Sequence, residues 1–160
     1  MNAEAKKHVL RMFDHGLYIV GAGRGEQAVA NAITWLTQCS FTPPLVMMAV
    51  RREGRLHDLI LRQCHFAVNV VGKDQQKMVA AFFKPAQVEG SMMNGYRFEA
   101  GPATGSPLFV DCPAWFETVV RDVVERGDHT VVVAEVVEAG VRDPQAQALT
   151  LRDTPWSYGG

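Results

Sequence analysis

The run Asn31-Ala-Ile-Thr34-Trp35-Leu-Thr37-Gln38-Cys39-Ser40-Phe-Thr-Pro43-Pro44-Leu45-Val-Met-Met-Ala-Val50 decides how this chain reads. Its first half is extended, polar and aromatic, and Pro43 and Pro44 stop it. Its second half, Leu45–Val50, is an unbroken apolar run of strand length between turn signals, the pattern of a buried strand. The first half supplies hydroxyls, an amide and one large ring at Thr34, Trp35, Thr37, Gln38 and Ser40. Such a set suits a wall facing something flat and polar better than it suits a dry core.

Working backward from this run, Leu17–Val20 reads as a strand, Gly21–Glu26 as a glycine turn and residues 27–38 as the return strand. The Gly21-x-Gly23 pair after a strand is the opening of a dinucleotide-binding loop, but Glu26 stands where the third glycine belongs and no helical pattern follows, which favours a hairpin. Residues 3–14 read as a short helix with Val9, Leu10 and Phe13 on one side, ended by Asp14-His15-Gly16.

Working forward, Arg51-Arg52-Glu53-Gly54-Arg55 breaks the apolar strand, and Leu56, Leu59, Ile60 and Gln63 then recur at helical spacing over 55–64. Gly54, Arg55 and His57 at the start of that helix read either as an anion site, where free backbone N–H groups and basic side chains converge, or as a solvated basic turn. Residues 65–71 form a strand, 73–83 a helix ended by Pro85, and 86–94 a loop that covers a site or merely connects. Short strands follow at 96–100 and 107–110. Residues 112–126 alternate as a long strand with neither face purely polar, which suggests packing on both sides and a subunit contact. Gly127-Asp128-His129 turns the chain into a return strand over 130–137. The tail from Leu149 gives a strand and then an aromatic segment too short to fold alone, so it should dock. The sum is mainly β with short α-helices, favouring a closed or nearly closed antiparallel barrel over a parallel sheet.

Composition bounds the function. A chain of 160 residues with 48% hydrophobic content fits one domain over 1–160. Sixteen Lys and Arg against seventeen Asp and Glu give no bulk charge to attract nucleic acid or an anionic membrane. Cys39, Cys64 and Cys112 are odd in number and widely spaced, so neither a disulfide framework nor a zinc site is expected. The five His and seventeen carboxylates show no metal-ligand or paired-carboxylate spacing, so no metal and no acid–base dyad are expected. No stretch approaches the ~20 apolar residues of a membrane span, and no signal-peptide run follows the first residues. The expectation is a cytoplasmic protein.

Four motifs taken together carry a resemblance: Asn31…Trp35-x-Thr37-Gln38-x-Ser40-x-x-Pro43-Pro44, then Phe66-x-Val68-Asn69-Val70, then Gly105-x-Pro107-Leu108, then Gly127-Asp128-His129 before an apolar strand. In this order and spacing, over roughly residues 10–160, the chain resembles the flavin reductase-like, FMN-binding split-barrel family. The resemblance implies a homodimeric, six-stranded antiparallel split β-barrel with FMN, or FAD in some members, near the dimer interface. It implies NADH or NADPH as co-substrate.

Carried over by position, the strand from Asn31 and Thr34 through Cys39 to Ser40 would lie along the isoalloxazine, its backbone meeting the polar edge with Gln38 and Ser40 nearby. Trp35 would stack on the flavin or wall the site. The phosphate would fall to Thr34 and to the 51–57 turn with Arg51, Arg55 and His57, and Asn69 would be brought to the same place. The chain departs from the family in two places. Gly54-Arg55-Leu56-His57 stands where many members carry a Ser-x-Thr-like pair, and Phe82-Phe83-Lys84 replaces the Phe-Gly start of the substrate loop, so bulk at Phe83 narrows access. His129 reads either as a turn residue or as a side chain on the substrate side, near flavin and nicotinamide. The function implied is transfer of hydride from NAD(P)H to FMN and of electrons onward to free flavin, oxygen, a metal or a partner protein. An FMN electron carrier of the flavoredoxin kind, or a ligand-binding barrel without flavin chemistry, are the alternatives.

Overall fold

A computed structural model describes residues 1–160. In chain order the elements are α1 (Ala3–Leu10), β1 (Tyr18–Ala22), β2 (Val29–Ile33), β3 (Leu36–Ser40), β4 (Leu45–Arg51), α2 (Arg55–Gln63), β5 (His65–Val70), α3 (Gln76–Ala81), β6 (Val88–Glu89), β7 (Met92–Met93), β8 (Tyr96–Ala100), β9 (Pro107–Phe109), β10 (Ala114–Glu125) and β11 (His129–Val141). Tight 3-10 turns lie at Gly25–Gln27 and Leu151–Asp153.

The main sheet has the order β2-β1-β5-β10-β11-β4-β3, and every neighbouring pair is antiparallel. Its two edges are consecutive in sequence. Only Thr34 and Trp35 separate β2 from β3, a span of at most about 11 Å for three Cα steps. The chain therefore steps from one edge of the sheet to the other and closes it into a split barrel, with its seam at Thr34-Trp35. At that seam the Ala49 N–H donates to the Trp35 carbonyl at 2.9 Å, and the Ala32 N–H donates to the Phe82 carbonyl at 3.2 Å.

This crossing corrects two expectations. Residues 27–38 are not one strand, and the main sheet has seven strands rather than six. The reason is geometric: a segment that bends across a closing barrel pairs with one neighbour before the bend and with another after it. Residues 86–94, expected to be a loop, contain β6 and β7, which join β8 and β9 in a second sheet of order β6-β7-β8-β9. Two helices are shorter than expected. The first, α1, buries no residue, so no packing extends it past Leu10. The other, α3, begins only after a turn in which the Gly72 N–H donates to Gln75 Oε1 at 2.7 Å. Meanwhile β11 runs on past residue 137 because Val141 still faces Ala114 across the ladder. The tail holds no strand at 149–151, only a bridge from Gly16 to Thr150 and the 3-10 turn after it.

Alternation along β1 and β5 explains the core. Ile19 packs with Leu17, Val79, Phe82 and Phe109 on one side of the sheet. Val20, Phe66 and Val68 pack with Val46, Met48, Val132, Leu56 and Ile60 on the other, where α2 covers them. Successive strand side chains point to opposite faces, and here both faces are dry. No helix is long and apolar enough to cross a membrane.

Candidate functional site

A cavity of about 710 Å³ opens at the barrel seam. The end of β2 and the seam contribute Asn31, Thr34 and Trp35, while β4 contributes Ala49, Val50 and Arg51. The turn into α2 brings Gly54, Arg55 and His57, the segment after α3 brings Phe83 and Lys84, and the start of β11 brings His129. The last wall is the tail, with Trp156, Ser157 and Tyr158.

Nine side chains singled out from the sequence thus meet around one space, and five do not. Thr37, Gln38, Cys39 and Ser40 follow the seam onto β3, an edge strand paired only with β4, and they lie outside the cavity. Gln38 folds back there, its Nε2 donating to the Ser40 carbonyl at 3.1 Å. Asn69 is fully buried. Its amide donates to the Ile19 and Pro107 carbonyls at 3.1 and 3.2 Å and accepts from the Phe109 N–H at 2.7 Å, so in this fold it joins β1, β5 and β9 rather than facing the cavity.

One wall of the cavity can receive an anion. Gly54, at φ +142, is the N-cap of the nine-residue α2 and supplies no side-chain cap. Orphan N–H groups at a helix start attract negative charge. Arg55 flanks them, whereas Arg51 makes an exposed 3.9 Å pair with Glu53, also a cavity residue, and lies close enough to Asp128 and Tyr158 to favour their charged forms. His57 is differently placed. It is buried, with Nε2 2.9 Å from Thr130 Oγ1 and Nδ1 3.2 Å from Asp58 Oδ1, and so fixes α2 to β11.

Another wall is aromatic, beside Arg51, which faces His129 across the ladder. The Trp35 and His129 ring centroids lie 4.7 Å apart, and Tyr158 meets Trp35 edge-on at 5.1 Å. His129 Nδ1 is 2.8 Å from Asp128 Oδ1, and its Nε2 is 2.8 Å from the Tyr158 hydroxyl. The bond to His129 holds the Asp128 carboxyl below the usual carboxylate range, while burial pushes the Tyr158 phenol above its usual value. The tail turns tightly here. Gly159 has φ +88, and a Cβ on it would come within 3.1 Å of the Trp35 ring. Opposite, Trp156 meets Phe83 edge-on at 4.8 Å. The tail therefore straps one rim of the cavity to the other. That the aromatic tail docks is expected from its being too short to fold alone; nothing in its spacing says where.

None of the three thiols lines the cavity, and burial raises the Cys112 thiol to about 12. No group of three or more His, Cys, Asp or Glu side chains is placed to hold a metal. The arrangement suits a flat aromatic ligand with an anionic end.

Similarity to known proteins agrees with this geometry. The flavin reductase like domain family matches residues 10–155. The NADH-dependent flavin reductase StyB of Pseudomonas fluorescens is 30% identical over 143 residues, covering 89% of this chain and 79% of that protein. Among solved structures, the styrene monooxygenase flavin reductase (SMOB) from Pseudomonas putida S12 superposes with a TM-score of 0.77 at 26% identity, over 99% of this chain and 97% of that one. The NADH:FAD oxidoreductase SgcE6 of Streptomyces globisporus C-1027, in complex with NAD and FAD fragments, gives a TM-score of 0.74 at 26% identity, over 86% and 81%. With a match across nearly its whole length and the split barrel to go with it, the chain belongs to the flavin reductase like domain family.

Proposed function

We propose that this protein is an NADH-dependent flavin reductase that holds FMN in the seam cavity and hands its electrons to a separate acceptor. The observation that carries the reading is the uncapped start of α2, with Arg55, opening on a cavity that the Trp35–His129–Tyr158 cluster also lines. These residues fit the cofactor: a monophosphate end suits free helix N–H groups and a guanidinium, and the space of about 710 Å³ has room for a tricyclic ring with more beside it.

The flavin, when bound, supplies the redox chemistry. The chain's own residues position and shield. Gly54 and Arg55 would anchor the phosphate, and the N–H groups of Thr34 and Trp35, whose carbonyls already accept from Leu36 and Ala49, would meet the polar edge of the ring. Phe83, Trp156 and Trp35 would exclude water from the face. Lys84 and Arg51 add positive charge at the rim. No side chain is required to hold or move a proton.

NADH is favoured over NADPH because the reductases of known preference quoted above use it. Homodimerisation is supported by exposed apolar side chains on neighbouring strands, Met47 on β4 and Val137 and Val141 on β11. Reconstitution with FMN followed by anaerobic addition of NADH tests the proposal. Loss of the visible flavin band is the expected result. Bleaching by dithionite but by neither nicotinamide nucleotide would instead make the protein an electron carrier.

A further inference from the structure

Both ring nitrogens of His129 are engaged, and the polarity of those bonds decides what this wall offers a ligand. The Asp128 carboxylate only accepts, and its lowered pKa keeps it ionised. The imidazole Nδ1, 2.8 Å away, therefore carries a proton and donates to it. In the neutral ring Nε2 is then left with a lone pair. To that neutral ring the Tyr158 hydroxyl at 2.8 Å supplies the proton of the second bond. Burial keeps the phenol protonated and able to do so.

Tyr158 Oη thus has its single proton directed at His129 and makes no other hydrogen bond, while its lone pairs remain free beside the cavity it lines. His129 in turn presents a ring rather than a nitrogen, lying against Trp35 at 4.7 Å. The polar atom of this aromatic wall is an acceptor. Tyr158 also lies beyond residue 155, where the family match ends.

We propose that Tyr158 determines co-substrate specificity: its hydroxyl oxygen accepts an N–H from the carboxamide of a nicotinamide ring that lies against Trp35 and His129. This rests on the reductase reading and adds to it the group that is recognised. A primary carboxamide has two N–H donors, whereas an acetyl group of nearly the same shape has none. A site built to bond a particular donor discriminates strongly against an analogue that lacks it.

The experiment compares kcat/KM for NADH and for its 3-acetylpyridine analogue, using the FMN-loaded full-length protein and its Tyr158→Phe variant. Taking the ratio within each protein cancels the analogue's different intrinsic reactivity. Loss of one hydrogen bond should lower the preference for the carboxamide about five- to tenfold in Tyr158→Phe. The change should appear as a higher KM for NADH, with kcat and the analogue's constants within about twofold for a contact made equally in ground and transition states. The far-ultraviolet circular dichroism spectrum serves as the control for folding and should not move. In the imidazole 15N spectrum, the neutral His129 of the parent should be protonated at Nδ1, and its Nε2 resonance should shift in Tyr158→Phe. An unchanged carboxamide preference, an equal loss for both nucleotides, or a neutral His129 protonated at Nε2 overturns the proposal. Failure of NADH to bleach the parent's flavin overturns it together with the reductase reading, an outcome distinct from bleaching with unaltered preference.

Discussion

The Phe109 N–H donates to the Asn69 side-chain carbonyl across 2.7 Å, and through this bond one buried amide joins the two sheets. The same side chain donates to the Ile19 and Pro107 carbonyls. Asn69→Ala strands an N–H and two carbonyls in a dry interior, which should destabilise the fold by about 2–3 kcal/mol in urea unfolding. FMN affinity at temperatures where the variant is folded should match the parent. A variant of full stability that binds FMN tenfold more weakly would return Asn69 to the ligand site.

Glu117 is the one fully buried carboxylate, and it pins a loop rather than a ligand. It accepts from the Ala103 and Thr104 N–H groups and from the Thr104 hydroxyl, at 2.9, 2.8 and 2.6 Å. Glu117→Gln turns one acceptor into a donor facing donors, and it should cost about 1–3 kcal/mol of stability. Reductase activity of the surviving folded protein should be retained, because Glu117 does not line the cavity.

Arg55 separates phosphate recognition from ring recognition. Arg55→Ala should weaken FMN binding by about 1.5–3 kcal/mol, the value of a bond to a charged group, and thus tenfold or more. Riboflavin, which lacks the phosphate, should bind parent and variant alike. Equal weakening of both ligands in titration calorimetry would move the phosphate elsewhere.

Phe83 and Trp156 hold the two rims together through an edge-to-face contact at 4.8 Å. Phe83→Ala should cost the tail about 0.5–1.5 kcal/mol of docking. Carboxypeptidase digestion from Gly160 should then run faster, and an unchanged digestion rate would show that the tail is held by its other contacts alone.

Acid should loosen the root of the tail. Asp153 accepts from the Thr150 N–H and hydroxyl and pairs with Lys73 Nζ at 3.1 Å, and these partners hold its pKa below the usual carboxylate value. Because the folded pKa is the lower one, the stabilisation is complete above the ordinary carboxylate range and disappears as pH falls through the depressed value. The Thr150 amide resonance should titrate in that acidic window in the parent and lose this titration in Asp153→Asn.

Much of the architecture was legible because its signals are local. The alternation of β10, the unbroken apolar run of β4 and the turn at Gly127-Asp128-His129 each announce a strand or a turn within a few residues. The seam was not legible, since Thr34 and Trp35 carry no breaker; they leave the ladder only because the sheet's two edges must meet. The same cause governs the site. Residues up to Trp35 face the cavity, whereas Thr37 through Ser40, equally polar, fall on the far side of the bend. Asn69 and His57 look like ligand groups in isolation, but partners distant in sequence engage them. Tyr158 was hidden for the converse reason: a short aromatic tail shows that it docks, and only the folded chain shows against which histidine.

The crossing at Thr34-Trp35 also divides the molecule into parts that evolution and engineering can treat differently. Residues there shape the cavity and shut the barrel at once, so an exchange that improves a ligand contact risks the closure of the whole sheet. The final residues contribute no sheet ladder, yet Trp156 and Tyr158 shape the same space. New co-substrate preferences should therefore be sought by substitution at Trp156 and Tyr158, which belong to no sheet ladder, while the seam is left as it stands.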